Sequence, residues 1–162
     1  MFKGLFPRFP LPTNLLTPSN KAAIGTKNLR VEPDSLQSTV VDGSQCPDII
    51  PVISLAATLC DGTTEIINAG RLRIKECDRL AAVTSELNKL GAKITEKEDG
   101  LIIEGVSKLK GGCTVWSHKD HRIAMSFSIA DLVSDSRVIL DDPNCINISF
   151  PGYFDLLRDL AK

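Results

Sequence analysis

Between Lys75 and Val106 the chain changes its hydrophobic period once, and that change limits what it can fold into. Leu80, Val83, Leu87 and Leu90 recur at three- and four-residue spacing, which draws one apolar stripe along a helix, and Gly91 is placed to end it. KITEKEDGLIIEGV follows at once and reads as two strands about a Glu-Asp-Gly turn. The stripe is therefore expected to face a sheet.

The neighbouring segments extend the same alternation. NLRVEP and STVVDG read as strands, being rich in β-branched or alternating residues. CPDIIPVISLAATLC reads as a buried helix, apolar on nearly every side, with Pro47 in its first turn and Asp48 at its positive end. DGTTEIINAG is a turn and a strand closed by Gly70. Beyond the hairpin, CTVWS is a short strand, Asp120 caps the helix HRIAMSFSIADLV, SRVILDD is a strand and FPGYFDLLRDLA a short helix. The order ββαβαββ, then βαβα, predicts an α+β (α/β layered) fold with helices on one side of small mixed sheets.

Composition narrows the functional classes. The chain has 162 residues, 43% of them hydrophobic and 24% charged, which suits a globular domain with a real core. With a net charge of -1, neither nucleic acid nor an anionic membrane is advertised as a partner. No apolar run reaches the roughly 18–20 residues of a membrane span. Residues 1–20 read as an unassigned Pro-rich tail, because Pro7, Pro10 and Pro12 interrupt the apolar stretch and no small-residue cleavage site follows. Five scattered cysteines without a CxxC pair suit reduced thiols and a cytoplasmic location. Two histidines and no cysteine at ligand spacing argue against zinc. Dinucleotide, P-loop and nucleophile-elbow glycine patterns are absent.

Charge is concentrated in RLRIKECDRL, directly ahead of the apolar stripe. Asp42 precedes the first helix, Lys75, Glu76 and Arg79 are expected at the start of the second, and Asp120, His121 and Arg122 start the third. A helix start presents free N–H groups and a positive dipole end, which together receive anions. Four residues apart, Lys75 and Arg79 would share a helix face, and Arg122 would add a second guanidinium for carboxylate or phosphate. Cations at that end are unfavourable by roughly 0.3–1 kcal/mol each, a conflict a bound anion relieves. The competing reading is a solvated helix start neutralised by Glu76 or Asp78. His121 is open to a structural or a proton-transfer role.

Four runs in order, VDGSQCPDIIP, NAGRLRIKECDRLAAVTSELNKLGA, KDHRIAMSFSIA and DDPNCINISFPGYFDLL, resemble the C-terminal part of the 5-enolpyruvylshikimate-3-phosphate synthases (3-phosphoshikimate 1-carboxyvinyltransferases), in the enolpyruvyltransferase family. The resemblance implies domains built from βαβαββ units, about one and a half of them here, with residues 21–162 forming part of the C-terminal domain. It implies transfer of the enolpyruvyl group of phosphoenolpyruvate to the 5-hydroxyl of shikimate 3-phosphate, without metal or organic cofactor, in a cleft completed by an N-terminal domain that this chain lacks. By the same resemblance Asp42 accepts the hydroxyl proton and Glu76 protonates the methylene carbon. Lys75 contacts shikimate 3-phosphate, Arg79 and Arg122 hold phosphoenolpyruvate, and His121 is their neighbour. Two positions depart from the pattern: Ile148 stands where the family usually has a phosphoenolpyruvate-binding lysine, and Cys77 replaces Ser or Thr. Two other readings compete, the sister enzyme acting on UDP-N-acetylglucosamine and a non-catalytic module.

Overall fold

Residues 36–160 are described by a computed structural model of the chain. The expected strand at NLRVEP and the tail of residues 1–20 lie outside them. One compact unit spans Leu36–Pro151, and residues from Gly152 onward group separately.

The first unit is built on a mixed sheet. Strand β1 (Val40–Asp42) leads through a 3-10 turn, Pro47–Ile49, into α1 (Ile50–Ala57), which returns to β2 (Thr63–Ile67). Helix α2 (Arg79–Lys89) is followed by the hairpin β3 (Lys93–Lys97) and β4 (Gly100–Glu104). The sheet order is β1-β2-β4-β3, with β1 and β2 parallel and the two remaining pairings antiparallel. A second sheet pairs β5 (Thr114–Val115) in parallel with β6 (Ile139–Leu140), the two joined across α3 (His121–Val133). This is the expected α+β layering.

The stripe faces inward as its spacing requires. Leu80, Val83, Leu87 and Leu90 are all fully buried, in one cluster with Ile94, Leu101 and Ile103 of the hairpin and Ile66 of β2. Gly91 adopts φ 95°, the left-handed geometry that ends a helix without a Cβ penalty. Gly100 has no room for any side chain, because a Cβ there would collide with the carbonyl oxygen of Ile66 on the neighbouring strand.

Two expectations change. Helix α2 begins at Arg79, so Lys75 and Glu76 precede it and Lys75 does not share a helical face with Arg79. The reason is local: Gly70–Ile74 forms a 3-10 turn, Lys75 leaves it extended (φ −88°, ψ −158°), and the Asp78 carboxylate accepts from the Ala81 N–H, which fixes the helix start. Helix α1 is also less enclosed than its composition suggests. It buries Ile50, Pro51, Ser54, Leu55 and Ala57 but leaves Val52 and Ala56 exposed, since it packs chiefly along one side against α3.

In the second unit, α4 (Tyr153–Leu160) is a short helix with an Arg158–Asp155 ion pair at 3.1 Å and an edge contact between Tyr153 and Phe154.

Candidate functional site

The candidate residues lie where parallel strands end. Asp42 is the last residue of β1 and pairs in register with Ile67, the last of β2. Its carboxylate accepts the Ser44 N–H at 2.9 Å. That bond and the Ser44 hydroxyl, opposed by burial and aided last by the Asn68 side chain, hold Asp42 below the ordinary carboxylate range. The chain leaving β2 curls through Gly70–Ile74 and delivers Lys75 and Glu76. In the second sheet the residues after β5 turn through His118 and Lys119, both at positive φ, to Asp120, which caps α3 by accepting from the Arg122 N–H at 2.8 Å. The open ends of parallel strands and the helix starts that follow them are where α/β layers place ligands.

Arg79 organises the cluster. Its side chain is 1% exposed, and a guanidinium cannot shed its charge at such a site, so it must be paired. Its Nε donates to Asp120 Oδ2 at 2.8 Å, and one terminal nitrogen reaches Glu76 Oε2 at 2.8 Å and Asp120 Oδ1 at 3.3 Å. The other donates to Asp48 Oδ1 at 2.9 Å. Asp120 is 0% exposed. Burial alone would raise its pKa, but hydrogen bonding and charge from Arg79, with the N–H groups of Arg122 and Ile123, hold it below the usual range.

Asp48 is the second hub. Besides Arg79 it has Lys75 Nζ at 3.8 Å from Oδ1 and Arg122 at 3.5 Å from Oδ2. The Arg79 hydrogen bond first, then the charges of Arg122 and Lys75, depress its pKa. Three cations, Lys75 and Arg79 from one run and Arg122 from α3, thus converge on one carboxylate that is 48% exposed.

The structure therefore gathers Lys75, Glu76, Arg79 and Arg122 into one network. Asp42 stands apart from it, with Ser44 and Asn68 as neighbours, while His121 opens α3 between Asp120 and Arg122. Arg79 is more deeply buried and more fully paired than an open cationic fork, a consequence of Asp120 being placed opposite it. From the sequence, Asp48 reads only as a helix-dipole residue and Asp120 only as a cap; their roles as ion-pair partners depend on contacts 31 and 41 residues away. The Cys77 Sγ lies 3.7 Å from Asp120 Oδ2, and burial, then the Asp120 charge, pushes this thiol up to about 12. It is a neutral donor to the carboxylate, a task a Ser or Thr hydroxyl also performs. Ile148, at the end of the 3-10 turn Pro143–Ile148, is 84% exposed and offers no charge. Among the described residues no three His, Cys, Asp or Glu side chains group as metal ligands would, and no helix is long and apolar enough to cross a membrane.

A family model described as EPSP synthase (3-phosphoshikimate 1-carboxyvinyltransferase) matches residues 21–157. A 3-phosphoshikimate 1-carboxyvinyltransferase of Clostridium beijerinckii is 68% identical over 126 residues, which cover 78% of this chain and 29% of that protein. Its counterpart in Clostridioides difficile is 63% identical over 121 residues, covering 75% and 28%. Among solved structures, an EPSP synthase from Acinetobacter baumannii superposes with a TM-score of 0.70 at 35% identity, over 78% of this chain and 30% of the other. The chain spans about 30% of the length of the curated relatives it matches.

Proposed function

Because the chain belongs to the EPSP synthase (3-phosphoshikimate 1-carboxyvinyltransferase) family, we propose that it supplies the phosphoenolpyruvate-holding and proton-transferring half of that reaction and needs the rest of the family's enzyme to complete it. The observation that carries this reading is the convergence of Lys75, Arg79 and Arg122 on the single carboxylate of Asp48, which marks a place built to hold negative charge.

In this proposal Arg79 and Arg122 hold phosphoenolpyruvate, Lys75 reaches shikimate 3-phosphate, and His121 borders the anion. Glu76 delivers a proton to the methylene carbon while the 5-hydroxyl oxygen attacks the adjacent carbon, giving a tetrahedral intermediate; Asp42 takes the hydroxyl proton. Loss of phosphate and of a methyl proton then restores the enol double bond. Dividing the two proton transfers between separate carboxylates suits their separate settings. Asp42 is kept ionised by Ser44 and Asn68 and so is in the form that accepts a proton. Glu76, with one oxygen on Arg79, is tied to the group that orients the substrate. The free state of all five thiols accords with a cytoplasmic site for this chemistry.

Holding two substrates in one geometry is worth roughly 7–11 kcal/mol, and this chain carries only some of the family's holding groups. The 162-residue chain alone is expected to bind phosphoenolpyruvate weakly without turnover. Amide shifts on titration should centre on residues 75–79 and 120–122 and diminish in Arg122→Ala. Turnover by the chain alone would refute the need for a partner. Shifts absent from that region at millimolar ligand would favour a non-catalytic module.

A further inference from the structure

We propose that Asp48 is a tethered competitor for the anion site: its carboxylate occupies the place of a phosphate-bearing ligand, and binding requires its displacement. The inference rests on the anion-site reading above and adds to it a residue that regulates occupancy.

The arrangement around Asp48 is one of unequal contacts. Only Arg79 meets it at the distance of a charged hydrogen bond, 2.9 Å; Arg122 and Lys75 stand at 3.5 and 3.8 Å. The two Asp48 oxygens leave Arg122 and Lys75 beyond the distance of a charged hydrogen bond, whereas a phosphoryl group brings three oxygens and more charge. Of the other partners of Arg79, Glu76 is equally exposed but meets Arg79 alone among the ion pairs of the described residues, and Asp120 is not a candidate for exchange. Asp120 is fully buried and also caps α3, so it has nowhere to go. Asp48 is half exposed, sits on a 3-10 turn, and can swing toward water while its backbone stays in place. Being attached to the chain, it competes at high effective concentration, and a free monocarboxylate bringing the same charge is at a disadvantage against it. A ligand must therefore offer more charge or more oxygens than a carboxylate to take the site, which selects phosphate-bearing anions.

The test uses the full 162-residue chain and inorganic phosphate as the probe, at fixed ionic strength. In Asp48→Asn the amide oxygen still accepts from Arg79 but the competing charge is gone. Phosphate should bind about tenfold more tightly, the scale of one charged hydrogen bond no longer given up. Glu96→Gln, which removes an equal charge from the Arg73 ion pair, should stay within about twofold and so measures the general effect of charge. In the unmodified chain, phosphate should move the Asp48 carboxyl carbon signal toward that of a solvated aspartate, a response that needs no variant to fold. Equal or weaker binding in Asp48→Asn, or an Asp48 signal that phosphate leaves unmoved, would overturn the competitor and leave the anion site standing. Failure of all chains to bind phosphate at tens of millimolar would overturn the anion site itself, and the competitor with it.

Discussion

Asp78 and Asp120 hold the same position in two helices, each the N-cap whose carboxylate accepts a backbone N–H of the first turn, and each is followed closely by an arginine. Their surroundings could hardly differ more. Asp78 is 38% exposed and pairs with Arg73 at 2.8 Å, on a surface where Glu96 shares the same guanidinium. Asp120 is fully buried and pairs with Arg79, itself buried. The arginine adjacent to Asp78 in the sequence ignores it and reaches Asp120 instead. A cap on the surface starts a helix; a cap in the core also fixes the position of a cation, and here that cation is the one that anchors Glu76 and Asp48. The same local motif thus serves stability at one helix and site geometry at the other.

The largest expected effect breaks the buried member of this pair. Asp120→Ala removes the carboxylate opposite a buried guanidinium, and the loss is expected to be about 3–5 kcal/mol, the range for orphaning one partner of a buried ion pair. Urea denaturation measures it. Asp120→Asn keeps an oxygen for the Arg122 N–H, so the difference between the two variants reads the cap separately from the charge. If Asp120→Ala were no worse than an ordinary cap deletion, Asp48 and Glu76 would suffice for Arg79 and the contrast with Asp78 would collapse.

A smaller effect appears in acid. The folded pKa of Asp120 lies below its unfolded value, so its contribution to stability is complete above the unfolded value of about 3.9 and is lost as pH falls through the depressed folded value. Asp48 and Glu86 are depressed as well and add to the same acid limb. Midpoints of unfolding measured downward from pH 6 should therefore fall less steeply in Asp120→Asn than in the unmodified chain. Parallel curves would mean that Asp120 titrates alike in both states and that its burial contributes no linkage.

What the sequence makes legible follows how local each cause is. The stripe of α2, the Gly91 stop and the hairpin depend on neighbours within a few residues, and periodicity finds them. The start of α2 is misplaced because polar residues run from Lys75 to Arg79 without a change in pattern; the signal was Asp78, a capping residue one position before the helix. Motif resemblance singles out Lys75, Glu76, Arg79 and Arg122, and the fold joins them. Asp48 escapes as a hub because its partners, Lys75 ahead of α2, Arg79 at the start of α2 and Arg122 at the start of α3, lie far along the chain from it. Glu86 escapes for another reason: a glutamate beside the stripe reads as a solvated face, yet it is buried, held by Lys89 Nζ at 2.7 Å and accepting the Trp116 N–H at 2.9 Å. Its burial raises its pKa, and Lys89 with the Trp116 N–H more than reverses that.

The smallest expected effect tests the exposed cap. Asp78→Ala removes the acceptor for the Ala81 N–H at 3.1 Å and one of the two carboxylates on Arg73. Water can replace the first contact and Glu96 retains the second, so no charge is left buried and alone. A surface cap is worth about 1 kcal/mol and an exposed ion pair less than that, which together set the expected loss near 1 kcal/mol. Asp78→Ser should recover most of it, because a hydroxyl caps as well and the ion pair contributes little. Phosphate affinity should be unchanged, since Asp78 touches Arg73 and not the cations around Asp48. A loss as large as that of Asp120→Ala, or a change in phosphate affinity through a shifted Arg79, would show that the helix start itself positions the site, and would make the two caps alike after all.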